Sequence, residues 1–146
     1  MSFLLDTNVL SEPTRLRPDP GVLAWLASAD EDDVFISAIT IAVIRRGIQR
    51  LSPGKKRANL DEWLERDLYL RFETRILPVD SHVADLCGRL IAHSEIKGRP
   101  MELADGCIAA TALLHEMTLV TRNVSDFETV VSSILVPWSR PGAKRE

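Results

Sequence analysis

Two short apolar stretches in this chain of 146 residues run directly into oxygen-rich side chains. Phe3-Leu4-Leu5 is followed by Asp6-Thr7-Asn8, and Leu119-Val120-Thr121 is followed by Arg122-Asn123-Val124-Ser125-Asp126. If both stretches are strands of one open α/β sheet, these polar residues lie beyond its carboxyl edge, where such sheets bind ligands. A third acid, Asp105, opens a helical segment on the same face as Ile108, Ala109 and Ala112, the face that packs on a sheet. An acid there is costly unless something compensates it. Taken singly, Asp105 suits the first turn of a helix by about 0.3–1 kcal/mol, and Asp6 suits a turn cap. Together, with no Lys or His close by, the acids point to a hard divalent cation with oxygen ligands. Magnesium fits, because it takes one or two protein carboxylates, keeps several waters and is completed by substrate phosphates.

Other chemistries lack their residues. Zinc requires Cys or His, yet His82, His93 and His115 are scattered without i,i+4 pairing and read as surface or boundary positions. Cys87 shares a stripe with Val83, Leu86 and Leu90, and Cys107 has no partner at ligand spacing, so both read as reduced, packed thiols. There is no G-x-x-x-x-G-K-[ST], no G-x-G-x-x-G, and no Ser or Cys nucleophile with a positioned His. An aspartate-based phosphatase would carry an acid two residues after Asp6, where Asn8 stands.

The elements that must hold these residues follow from periodicity. Strands are expected at Phe3–Leu5, 34–36, 76–79 and 119–121, with helical patterns between them, which implies an α/β fold with a parallel sheet. Asp19-Pro20 caps a helix over 21–29, Ser37 caps one over 38–51, Asp80-Ser81 opens one that Gly98 and Pro100 close, and a fifth runs over 103–116. Ser52-Pro53-Gly54 is a turn. No repeat or linker divides the chain, so a single domain over 1–140 is expected, with 141–146 a frayed tail. No apolar run reaches the roughly 18 to 20 residues of a membrane span, and no basic leader precedes the first strand; a cytoplasmic protein with no membrane association is expected. Net charge is −3, against bulk coating of nucleic acid, but Arg45, Arg46, Arg50, Lys55, Lys56 and Arg57 form a local excess that could meet phosphates.

Four motifs carry a resemblance over nearly the whole length: Leu4-Leu5-Asp6-Thr7-Asn8-Val9-Leu10-Ser11-Glu12, Ser37-Ala38-Ile39-Thr40, Ala104-Asp105-Gly106-Cys107-Ile108-Ala109-Ala110-Thr111-Ala112 and Thr121-Arg122-Asn123-Val124-Ser125-Asp126-Phe127. In this order and spacing the sequence resembles PIN-domain toxins of the VapC type, especially the FitB-like branch. The resemblance implies a PIN-like central parallel sheet flanked by helices and a Mg2+- or Mn2+-dependent endoribonuclease. It also implies a homodimer and a higher hetero-oligomer with a small VapB- or FitA-like antitoxin, through which operator DNA is bound. It assigns metal-binding acids to Asp6 and Asp105, with a further polar ligand, or the group that orients the attacking water, at Asn123 or Asp126. Thr7, Asn8, Arg46, Arg50 and Thr121 are then expected to contact the RNA substrate.

One position departs from the pattern. Where the family ordinarily carries glutamate, this chain has Val43. Ile41, Ile44, Ile48 and Leu51 form the core stripe of that helix, while position 43 lies on the side of Arg46 and Arg50, a face a glutamate would suit better. One reading is natural divergence, with valine filling a gap beside the sheet; the other is an inactivating change that weakens the cation site and leaves the endoribonuclease impaired or inactive. The alternative is a non-catalytic PIN subunit that acts with its antitoxin in repression.

Overall fold

The computed structural model describes residues 1–139; the expected tail lies outside the described residues. Its centre is a five-stranded, wholly parallel sheet of β1 (Phe3–Leu5), β2 (Val34–Ser37), β3 (Ile76–Leu77), β4 (Thr118–Val120) and β5 (Ile134–Leu135), in the order β3-β2-β1-β4-β5. The fold is therefore α/β as the alternation implied. The chain winds outward from β1 through β2 to β3, then returns to place β4 on the other side of β1. The switch point is the β1/β4 seam, where Phe3 faces Thr118 and Leu5 faces Val120.

Alternation within the strands builds two cores. Leu5, Val34, Ile36 and Val120 meet Val9, Val22, Ile44, Leu64 and Phe72 on one face, while Leu4 and Leu119 meet Ile108, Ala109, Ala112 and Phe127 on the other. The helices covering these faces are α1 (Thr7–Ser11), α2 (Pro20–Ser28), α3 (Ala38–Gln49), α4 (Lys55–Glu62), a π-helical segment (Trp63–Leu68), α5 (Tyr69–Phe72), α6 (Ser81–Ile96), α7 (Leu103–Leu114) and α8 (Val124–Phe127). Three expected caps are present: Asp19 accepts from Gly21 and Val22, Ser37 from Ile39, and Asp80 from Val83. Among the described residues no helix is long and apolar enough to cross a membrane.

Several boundaries differ from the expected ones. β3 stops at Leu77, because Pro78 has no amide to continue a ladder. β4 begins at Thr118 and ends before Thr121, whose side chain is used elsewhere; α3 ends at Gln49 and α7 at Leu114. β5 went unrecognised, since a two-residue strand carries no period.

The start of α2 packs against the end of the described chain with almost no clearance. A Cβ on Gly21 would stand 2.5 Å from the Pro137 carbonyl oxygen and from the Ser139 amide, both backbone atoms. Gly21→Ala is expected to cost about 2–3 kcal/mol, since backbone cannot swing aside as a side chain would. Urea unfolding measures this; a variant as stable as the parent would show that residues 137–139 are free to move away.

Candidate functional site

Asp6 follows β1 directly. Its amide continues the ladder by donating to the Val120 carbonyl (2.9 Å), and its side chain turns back as the cap of α1, with Oδ1 accepting from the Thr7 amide (2.8 Å). Oδ2 accepts from the Thr121 hydroxyl (2.7 Å) and from Asn8 Nδ2 (3.3 Å). Thr121 Oγ1 also accepts from the Asn123 amide (3.0 Å), and Asn8 Oδ1 accepts from the Arg122 amide (3.3 Å). The segments after β1 and β4 are thus tied into one network across the switch point. Thr121 is fully buried, so in this structure its hydroxyl orients Asp6 rather than meeting solvent.

A cleft of about 580 Å³ opens beside this network. Asp6, Thr7, Asn8 and Ser11 line it from the β1 end, Ile39, Ala42, Val43 and Arg46 from α3, Glu102, Leu103, Ala104, Asp105 and Ile108 from α7, and Asn123 from the segment after β4. Asp6 and Asp105, separated by 99 positions in sequence, therefore share one cavity. Asp126 lies outside the lining, exposed on α8, yet its charge acts on both Asp6 and Asp105. Arg99 holds α8 in place by donating to the Ser125 carbonyl (2.7 Å) and Glu128 (3.2 Å).

The basic run divides. Arg45 is committed to Asp61 (2.5 Å) and Glu65 (3.1 Å), and Arg57 donates to the Leu51 carbonyl. Arg46 lines the cleft and has no ion pair among the described residues. Arg50, one turn further along, is exposed and outside the lining. Sequence reasoning did not single out Glu102 and gave Ser11 no role. For Glu102 a signal existed, since it stands three residues before Asp105 and so shares its side of the first helical turn.

Burial raises the Asp6 carboxyl above its ordinary range, and the Asp126 charge adds to this, against the hydrogen bonds from Thr121, Thr7 and Asn8. Burial, and then the charges of Asp6, Asp126 and Glu102, pushes the Asp105 carboxyl up to about 6. Among the described residues no hydrogen bond supports the Asp105 carboxylate, so like charges gather there without a compensating partner. In the cation-free protein, the stability tied to this group is fully present below the unfolded pKa near 4 and is lost as pH rises through about 6. Asp105→Asn is expected to flatten that fall and to raise stability near neutral pH by about 1 kcal/mol, a figure reduced for partial exposure. Urea unfolding in EDTA, below and above the titration, measures it; an unchanged slope would mean that burial and the neighbouring acids do not raise this carboxyl.

The donors suit a hard cation. The cleft offers carboxylates, carboxamides and hydroxyls, with no imidazole or thiol: the three histidines are exposed, and Cys87 and Cys107 are buried between α6 and α7 with their sulfurs 3.6 Å apart. Burial holds the Cys87 thiol up at about 11, so it is inert as a thiolate ligand. Among the described residues no three acids, histidines or cysteines already stand as a metal cage. A cation that keeps several waters and needs one or two carboxylates fits this arrangement; zinc does not.

Residues 3–131 match the PIN domain family model. The chain is 42% identical to Toxin FitB of Neisseria gonorrhoeae over 136 residues, 93% of this chain and 98% of that protein. It is 36% identical to VapC ribonuclease Y4jK of Sinorhizobium fredii, over 93% of this chain and 97% of the relative. Among solved structures, a chain of FitAB bound to an IR36 DNA fragment superposes with a TM-score of 0.86 at 41% identity, over 94% of this chain and 96% of the other.

Proposed function

Because this chain belongs to the PIN-domain family, we propose that it is a divalent-cation-dependent endoribonuclease toxin of a toxin–antitoxin pair, working at the cleft between α3 and α7. The observation that carries this reading is the convergence of Asp6 and Asp105 at the sheet's switch point, in a cavity whose donors are all oxygen or nitrogen of the hard kind. Asp6 and Asp105 hold Mg2+ or Mn2+, with Asp126 close enough to act on both. When bound, the cation supplies charge neutralisation at the phosphodiester and acidifies the attacking water.

The rest belongs to the protein. The Thr121 hydroxyl and Asn8 amide fix the Asp6 carboxylate in one orientation, so little rearrangement is needed when the cation arrives. Asn123, at the rim, offers a carboxamide that can orient water or a phosphate oxygen. Arg46, unpaired in the cleft wall, meets a phosphate of the RNA, and Arg50 extends that charge one turn outward. Thr7 and Asn8 present polar groups to the ribose-phosphate chain. The domain works as a homodimer in complex with a small FitA- or VapB-like antitoxin, which carries the contact to operator DNA.

Val43 favours a second reading, in which the chain has lost most of its catalysis and persists as the non-catalytic subunit of a repressing complex. Cleavage of a single-stranded RNA in Mg2+, compared with EDTA and with Asp105→Asn, separates the readings. Metal-dependent cutting abolished in Asp105→Asn supports the enzyme; no cutting by the parent or by Val43→Glu sinks it.

A further inference from the structure

We infer that Glu102 supplies the cation in this cleft with the carboxylate that position 43 lacks. The inference rests on the cation-site reading above and goes further, because Glu102 belongs to none of the four motifs that carry the family resemblance.

Glu102 sits immediately before α7 in extended backbone, φ −73° and ψ 155°, at the position where a side chain usually turns back to accept from the first helical amides. It makes no such bond: its carbonyl accepts from the Gly106 amide (2.9 Å), but among the described residues its carboxylate has no ion pair or hydrogen-bond partner. It lines the cleft with Asp105, one helical turn on, and with Asp6; of the acids in the site, these three face the cavity. Arg46 lines the same cavity and does not pair with it. An uncommitted carboxylate at the mouth of a cleft that admits a polyanion is repulsive unless something positive stands between them. A divalent cation held by Asp6 and Asp105 is that positive charge. The opposite wall, α3, contributes Ile39, Ala42, Val43 and Arg46 and no carboxylate, so the added oxygen has to come from the α7 side. No three acids already form a cage among the described residues, so Glu102 must swing inward when the cation binds, as its exposed, unpaired side chain is free to do.

The test is Mn2+ binding by calorimetry, with free Mn2+ counted by electron paramagnetic resonance, on the full chain and on Glu102→Gln, Asp105→Asn, Val43→Glu and the double variant Val43→Glu/Glu102→Gln. Glu102→Gln is expected to weaken Mn2+ binding about 10-fold in the parent, at moderate and high salt alike, because a lost ligand is not screened. In the Val43→Glu background the same change is expected to cost less than about twofold, since the two carboxylates serve one role. Circular dichroism checks that each variant folds. If Asp105→Asn weakens binding but Glu102→Gln does not, or does so only at low salt, the inference fails and the cation site stands. If Glu102→Gln costs the same in both backgrounds, Glu102 does not stand in for position 43. If Asp105→Asn leaves Mn2+ binding unchanged, both readings fall together.

Discussion

Val43→Glu is expected to strengthen Mg2+ or Mn2+ binding about 10- to 100-fold and to raise RNA cleavage by a similar factor. The valine is half-buried in the cleft wall, one turn from Ile39 on one side and from Arg46 on the other. A carboxylate there would add an oxygen to those of Asp6 and Asp105 from a fixed place on α3, without the inward swing that Glu102 needs, which valine cannot do. Without the cation the substitution should leave stability flat or lower it, because a further acid joins the charges of Asp6, Asp126 and Glu102, which add to burial in pushing Asp105 up to about 6. With the cation the order reverses, as binding to the native state adds stability by mass action. The glutamate form should also arrest growth when expressed without an antitoxin. A parent protein that cuts RNA in Mg2+ as fast as its glutamate variant would place position 43 outside the active centre.

Asp19→Ala is expected to cost about 3 kcal/mol, roughly 10 °C in Tm. This buried carboxylate accepts from the amides of Gly21 and Val22 at the start of α2, and from the amide and hydroxyl of Ser139 near the end of the described chain. Burial alone would raise its pKa, but the bonds from Ser139, Val22 and Gly21 outweigh burial and hold the carboxyl below its ordinary value. The linked stability is present above the unfolded pKa near 4 and is lost as pH falls through the folded value. That is the opposite sign to Asp105, so the cation-free protein should be most stable between the two titrations. Asp19→Asn, which keeps the shape and removes the charge, should lose less than the alanine variant. Equal losses would assign the effect to packing rather than to the carboxylate.

Where local chemistry dictates conformation, the sequence is readable: Asp19-Pro20, Ser37 and Asp80 cap helices because their side chains satisfy amides within three residues. β1 and β2 were legible as apolar runs bounded by polar residues. β5 was not, because two residues acquire strand geometry only by pairing with β4, which is a tertiary event. The π-helical segment was equally hidden. Leu64, Leu68 and Phe72 are buried at four-residue spacing, which drifts by about 40° per step on an ideal α-helix; the wider turn keeps them on one line. At the site, Asp6 and Asp105 could be named from strand ends, helix faces and the family pattern. Thr121 could be named too, but its burial under Asp6 depends on the β1/β4 seam. Glu102 needs α3 and α7 to face one another before it has anything to line.

The same seam sets a condition on synthesis. Asp6 is translated more than a hundred residues before its ladder partner Val120 and its hydroxyl donor Thr121. A parallel sheet closed by so distant a pairing gains no contact energy until the loop entropy has been met, so it forms late and cooperatively. A nascent chain halted before β4 carries Asp6 and Asp105 but no central seam to bring them to one cleft. The chain therefore cannot assemble this cavity until β4 has been made, and a partner that recognises the finished fold has nothing to bind before then.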